Sequence, residues 1–166
     1  MKSISEKERN RIEAQGFVGI EDETLRRINY WLRFSPAICM MWTAFGIVLA
    51  SPLVLWALVP FALLGGVLRG HPFDIFYNYG LRKIFKTPRL PRYGLPRRFA
   101  CLLAGAMLMM AALGFQFGVP VVGYAFGGFL VTAAFVNVST GFCVPSFIYG
   151  LIFGKAVCEI KPAAGN

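Results

Sequence analysis

Two stretches of this chain, Phe34 to Leu68 and Phe99 to Gly154, contain no Asp, Glu, Lys, Arg or His. Proton-coupled transporters, pumps and voltage sensors place ionisable groups within their membrane spans, so this absence argues against all three classes. It also removes from those stretches the side chains of an acid/base pair, a Ser-His-Asp triad or a carboxylate metal site. No P-loop or G-x-G-x-x-G phosphate cradle occurs. The chain has a single histidine and eight acidic residues against 17 basic ones, and charged residues make up 15% of it. A soluble domain carries roughly 25%. With 57% hydrophobic residues, the balance is that of a membrane protein.

What charge there is lies outside the apolar blocks. It is densest from Arg69 to Arg98, where Arg69, Arg82, Lys83, Lys86, Arg89, Arg92, Arg97 and Arg98 accompany one acid, Asp74. A basic loop between uncharged blocks stays in the cytoplasm and attracts anionic lipid headgroups. Arg82, Lys83, Lys86, Arg89, Arg92, Arg97 and Arg98 are therefore expected to face a membrane surface or a protein partner. Nucleic acid is not expected, since no recognition motif accompanies the net charge of +9. Within the loop, His71-Pro72 followed by Asp74 marks a helix start. Phe73, Phe76, Tyr77, Gly80 and Ile84 then share one face, and Asp74, Asn78, Arg82 and Lys86 the other, as in an interfacial helix. Pro88, Pro91 and Pro96 predict an extended connection to the next span. His71 and Asp74 alone are too few ligands for a metal, and no metal or other cofactor is expected.

The apolar blocks are too long for single spans. Phe34 to Leu68 would reach about 52 Å as one helix, against a hydrocarbon core of about 30 Å. Ala50-Ser51-Pro52 supplies a break, giving spans at 34–50 and 53–68. The second block gives spans at 99–117 and 121–138, turned by Gly118-Val119-Pro120. Gly123 and Gly127 form a small-xxx-small pair suited to close helix packing, here within the bundle in preference to dimerisation. Asn137, Ser139, Thr140, Gly141 and Pro145 then break the helix, and a short interfacial or re-entrant helix is expected at 146–153.

The predicted fold is thus an all-α membrane protein with four transmembrane helices as two hairpins, interfacial amphipathic helices, and a short broken helix after the fourth span. Residues 1–33 form a cytoplasmic N-terminal segment. Residues 34–154 form one membrane domain with its cytoplasmic basic loop at 69–98, and 155–166 a cytoplasmic tail. In the N-terminal segment, Leu25, Ile28, Trp31 and Leu32 fall at helical spacing over Glu21 to Phe34. That helix either lies on the membrane surface or is an ordinary solvated one. Both termini are placed on the cytoplasmic side of the membrane.

Chemistry, if any, falls to the four cysteines. Cys39, Cys101, Cys143 and Cys158 all map to the cytoplasmic, reducing side, which disfavours structural disulfides. Buried cysteines usually act as small apolar residues. Cys143 is the candidate thiol, because it stands at the N-terminus of the predicted short helix, where the helix dipole favours a thiolate. Asn137, Ser139, Thr140 and Ser146 are candidate binding residues beside it. The first functional reading is a non-enzymatic accessory or scaffold subunit of a membrane assembly, with a protein partner or a second copy in the membrane. The alternative is a thiol-dependent relay or transport of reduced sulfur species through Cys143 at the cytoplasmic face.

The segments HPFDIFYNYGLRKIFKTPRLPRYGLPRRFAC (His71–Cys101) and FVNVSTGFCVPSFIYG (Phe135–Gly150) resemble an uncharacterised family of small bacterial integral membrane proteins, a domain of unknown function. The resemblance covers roughly Phe34 to Gly154, and the Gly-Phe-Cys near the C-terminus is its more specific part. It implies four membrane helices with both ends cytoplasmic and brings no established activity. Members often have a second cysteine where this chain has Ser146, so the resemblance leaves Cys143 a single-thiol role.

Overall fold

The computed structural model describes residues 5–68, 70–85 and 87–154, and over these the chain is helical with no strand. Arg69, Lys86 and the tail from Lys155, with Cys158, lie outside the described residues. The two long apolar blocks each fold as a pair of helices. Helix α3 (Phe34–Val48) and α4 (Pro52–Val67) are joined at Leu49–Ser51, and α7 (Leu95–Gln116) and α8 (Pro120–Thr140) at Phe117–Val119. Pro52 and Pro120 open α4 and α8 as first-turn residues, where the missing N–H costs nothing. Helix α7 packs on α4 and α8, and α3 on α8 and α4, closing a four-helix arrangement. Among the described residues three helical stretches are long and apolar enough to cross a membrane: Trp31–Val48, Leu95–Gln116 and Pro120–Thr140. Helix α4 passes the same test only together with Pro72–Phe85, from which it is bent by 81°.

The core between these helices is built from Leu55, Leu58, Val59 and Ala62 of α4 against Leu108, Ala111 and Ala112 of α7. Glycine sets how close they come. A Cβ on Gly114 would stand 2.5 Å from the backbone nitrogen of Gly123, and one on Gly127 2.4 Å from Ile47 Cγ2. Gly123 and Gly127 thus serve contacts inside the chain, to α7 and α3 respectively.

Outside the four helices the structure departs from simple expectation in three places. The N-terminal segment is not one helix over Glu21 to Phe34. It forms α1 (Glu6–Ala14), α2 (Asp22–Ile28) and a 3-10 turn at Trp31–Arg33. Leu25, Ile28 and Leu32 do not face outward; they pack with Ile12, Phe17 and Tyr93 in a second core. Pro96 is not part of the extended connection, because α7 begins at Leu95 with Pro96 in its first turn, and Arg97 and Arg98 are helical too. The loop helix is likewise divided, into α5 (Pro72–Phe76), a π-turn at Tyr77–Leu81 and α6 (Arg82–Phe85). After α8 the chain turns through Gly141 at φ 71°, a left-handed C-terminal residue, into α9 (Val144–Phe153). Helix α9 packs on α7.

Gly114→Ala drives a methyl into the backbone of the neighbouring helix and should cost about 1–3 kcal/mol. Gly128, with nothing within 4 Å of its would-be Cβ, is the matched control, and Gly128→Ala should leave stability unchanged or slightly raised. Thermal unfolding of the two variants in detergent reads the difference.

Candidate functional site

The two ends of the helix bundle differ. At one end lie the start of α3, the end of α4, the start of α7, and the end of α8 with the start of α9. Here a cavity of about 120 Å³ opens between the helices, and Cys39, His71, Arg97, Cys101, Asn137 and Cys143 all line it. Cys39 comes from α3, Cys101 from α7 and Cys143 from the cap of α9. All three thiols are free.

Cys143 is the N-cap residue of α9 and is buried. Its sulfur lies 3.1 Å from Ser146 Oγ, one turn along, and Ser146 Oγ also lies 3.2 Å from the carbonyl of Pro96. The hydroxyl has one proton and can serve only one of these acceptors at a time. When Cys143 is a thiol, its S–H can donate to Ser146 Oγ while the hydroxyl donates to Pro96. When it is a thiolate, the hydroxyl turns to the sulfur. One serine therefore accommodates both states without moving the chain.

Arg97 sits in the first turn of α7 and is only 4% exposed. Its Nη1 donates to Gln15 Oε1 and its Nη2 to the carbonyl of Leu32 at 2.5 Å. The guanidinium carbon lies 5.3 Å from the ring centre of Phe17 and 4.9 Å from that of Tyr93, within cation–π range. Burial pushes the Tyr93 phenol well above its usual value, against the pull of the Arg97 charge, so the ring stays neutral. Gln15 completes the contact by donating to the carbonyls of Arg11 and Gly141. No carboxylate stands in ion-pair contact with Arg97 among the described residues; the ion pairs there are Arg9–Glu13, Arg9–Asp22 and Arg27–Glu23.

On the other wall, His71 caps α5. Its Nδ1 accepts from the Phe73 backbone N–H at 3.4 Å, and the His71 backbone N–H donates to Asp74 Oδ2 at 3.2 Å. Asp74 Oδ1 is held by the hydroxyl of Ser35. With Nδ1 accepting, the ring proton belongs on Nε2, which faces Cys39 Sγ at 3.8 Å. Gly65 makes room for this wall: its would-be Cβ lies 2.6 Å from His71 Cδ2 and 3.3 Å from Cys101 Sγ. His71 and Asp74, three residues apart, thus serve a cap and a thiol contact. Among the described residues no group of three or more His, Cys, Asp and Glu is placed to hold a metal ion.

The other sequence candidates divide sharply. Asn137 and Ser146 come to the cavity or to Cys143 itself. Ser139 and Thr140 do not: their hydroxyls bond back to Phe135 and Val136 of their own helix, at 2.7 Å each. Lys83, Arg89 and Arg92 are exposed and Arg82 half-buried. Arg98 donates to the carbonyls of Gly66 and Val67 at the end of α4. Arg97 is the exception to the expected basic surface, because the first turn of α7 aims it inward. Sequence reasoning also passed over His71, Cys39 and Cys101 as one group. Their signal was present in the placement of all the cysteines toward one end.

An all-helical protein with several helices able to span a membrane, and a thiol-lined cavity at one end of its bundle, is the class defined by this geometry. The chain belongs to the family described as Domain of unknown function (DUF4395), whose model matches residues 29–153. The match includes the whole cavity wall, with Gln15 and Phe17 outside it. No curated protein and no solved structure matches the chain.

Burial lowers the His71 pKa to about 4, against the opposing pull of Asp74. The unfolded chain binds this proton near pH 6.5, so between about pH 4 and 6.5 it holds a proton that the folded chain does not. Folding stability should therefore be fully present above pH 6.5 and fall as the pH drops toward 4, by up to about 3 kcal/mol. His71→Gln should flatten that part of the pH–stability curve, measured by chemical unfolding in detergent.

Proposed function

We propose that the chain is a multi-pass protein of a bacterial inner membrane that relays reduced sulfur through Cys143. The observation that carries this reading is the meeting of three free cysteines, from three different helices, on one cavity beside a buried cation. The accessory-subunit reading drew on the small size of the chain, the lack of ionisable groups in its apolar blocks and the aromatic and basic face of the central loop, and it gives such a cavity no role.

The membrane setting is supported by α3, α4, α7 and α8, taken as four spans in two hairpins. Met41, Phe45, Leu53, Phe129 and Phe135 are exposed on them and suit lipid contact. Both hairpins begin and end at the cavity end, where the basic residues also lie. The positive-inside rule puts that end in the cytoplasm, with both termini. Exposed Lys83, Arg89 and Arg92 then suit anionic headgroups.

In the relay, the Cys143 thiolate attacks the sulfane sulfur of a donor. A new S–S bond forms at Cys143, the donor's S–S bond breaks, and its electron pair leaves with the donor's remaining sulfur. A second thiolate then attacks the outer sulfur of the persulfide and regenerates the Cys143 thiolate. Neither step needs an oxidant. That second thiolate is the acceptor's; Cys101 and Cys39 line the same cavity. This is a carrier's chemistry, and we assign no enzymatic turnover.

Reporter fusions after residue 85 and at the C-terminus should read cytoplasmic, and one at Ser51 periplasmic. A periplasmic reading for the central loop would overturn the orientation.

Treated with a sulfane-sulfur donor, the full-length protein should gain the mass of one sulfur atom at Cys143, located by fragmentation. Cys143→Ser should lose that adduct entirely and keep its helical circular dichroism. Ser146→Ala, which removes a side-chain donor to the sulfur, should slow loading by about tenfold, the worth of roughly 1.5 kcal/mol for a hydrogen bond to a charged group. A folded wild-type protein whose Cys143 never loads would return the cysteine to a packing role.

A further inference from the structure

We infer that the cavity is an anion site, in which Arg97 and Asn137 hold a small sulfur oxyanion of the thiosulfate type with its outer sulfur toward Cys143. The identity of the sulfur rests on the relay proposed above; the anion site does not.

The argument is a balance of charge around the cavity. The first turn of α3 contributes Ser35 and Pro36 to its lining, the first turn of α7 contributes Arg97, and the start of α9 contributes Cys143 and Pro145. Two helix N-termini, those of α7 and α9, each with a partial positive charge, therefore open on one space. The negative ends nearby are already answered. Arg33 donates to the carbonyls of Val138 and Ser139, and Arg11 to that of Thr140, at the end of α8. Arg98 does the same for α4. Arg97 then adds a full positive charge that is almost wholly buried and, among the described residues, has no carboxylate in ion-pair contact.

The opposing charge to weigh is Asp74. It is buried nearby, but it does not line the cavity, and its two oxygens are taken by Ser35 and the His71 N–H. It moderates the field without filling the site. Of the five N–H groups on Arg97, two directions are spent on Gln15 and Leu32, leaving donors for a ligand. A buried guanidinium with spare donors suits an oxyanion, which can accept two of them in parallel. The Asn137 amide on α8 supplies neutral donors across the space. A cavity needs only about 10–15 Å³ to admit a water, so one of about 120 Å³ takes a polyatomic ion.

Thiosulfate also closes the chemistry. The Cys143 thiolate, its proton already lost to water, attacks the outer sulfur. The Cys143 S–S bond forms, the S–S bond of thiosulfate breaks, and the electron pair departs on sulfite. Charge and electrons balance with no co-reactant.

The test separates binding from transfer. Full-length Cys143→Ser protein in nanodiscs of zwitterionic lipid is titrated with thiosulfate in chloride buffer by calorimetry, with sulfate as competitor. Saturable 1:1 binding that sulfate displaces is expected. Arg97→Gln in the same background should weaken it at least tenfold, Arg97→Lys less, and Asn137→Ala several-fold. If Arg97→Gln does not fold, Asn137→Ala and the sulfate competition decide. Absence of thiosulfate binding by folded Cys143→Ser protein overturns the anion site, as does affinity indifferent to these substitutions. Binding that persists in a wild-type protein whose Cys143 never loads supports the site and sinks only the relay.

Discussion

A guanidinium at the edge of an apolar bundle has to be held or it will not stay there. Leaving a charge without compensation in such a place costs several kcal/mol even after relaxation, and among the described residues no carboxylate pairs with Arg97. Beside the nearby ring of Tyr93, its compensation comes from far along the chain: the amide oxygen of Gln15, the carbonyl of Leu32 and the face of Phe17. These are the residues that fold the N-terminal segment over the bundle. The apolar contacts of Ile12, Leu25 and Ile28 then add burial to a placement that the charge has selected. Gln15 also reaches Gly141, so the same side chain ties the segment to the turn between α8 and α9, two residues before Cys143. The position of the candidate thiol depends in this way on the solvation of one arginine.

Close approach is the second constraint, and it too runs through the site. Gly65 and Gly66 lie near the end of α4, where added Cβ atoms would strike His71 and Leu102. Without a bare backbone there, the ring of His71 could not lie against α4 with its Nε2 toward Cys39. Gly141 does comparable service on the other side. Its positive φ ends α8, and a Cβ there would meet Arg33 Nη2 at 2.9 Å, displacing the arginine that caps the helix. Close packing and electrostatics are therefore not separable at this end of the molecule.

The helices were legible in the sequence because they are written in long runs. Uncharged blocks interrupted at Ala50-Ser51-Pro52 and Gly118-Val119-Pro120 specify α3, α4, α7 and α8 to within a few residues, since neither block fits a bilayer as one helix. The break before α9 was legible from Gly141 and Pro145. What could not be read was the direction of single side chains. Counting Arg97 with its neighbours as surface charge treated Arg69 to Arg98 as one loop, whereas α7 begins at Leu95 and its helical phase turns Arg97 inward and Arg98 to the end of α4. Pro96 misled for the same reason: a proline signals equally an extended segment and a helical first turn. The cavity required the relative rotation of α3, α7 and α9, a property of packing that no one-dimensional pattern encodes. Cys143, Asn137 and Ser146 were found because they lie within ten residues of one another around a visible break. Cys39 and His71 were not joined to them because the chain brings them from elsewhere.

The absence of ionisable residues from the apolar blocks bears on what chemistry such a bundle can hold. A carboxylate or lysine within the spans would need a permanent partner. A thiol does not, because it is neutral until it reacts and packs as a small apolar group. Charge is then needed only where and when an anion arrives, and this chain supplies it from the flanking segments: Arg97 from the start of α7, held by the N-terminal residues, and the dipoles of helices that begin at the cavity. Nucleophile and charge are kept on different parts of the chain. On the proposed reading, the bundle stays uncharged along its apolar helices while one end of it receives an anion.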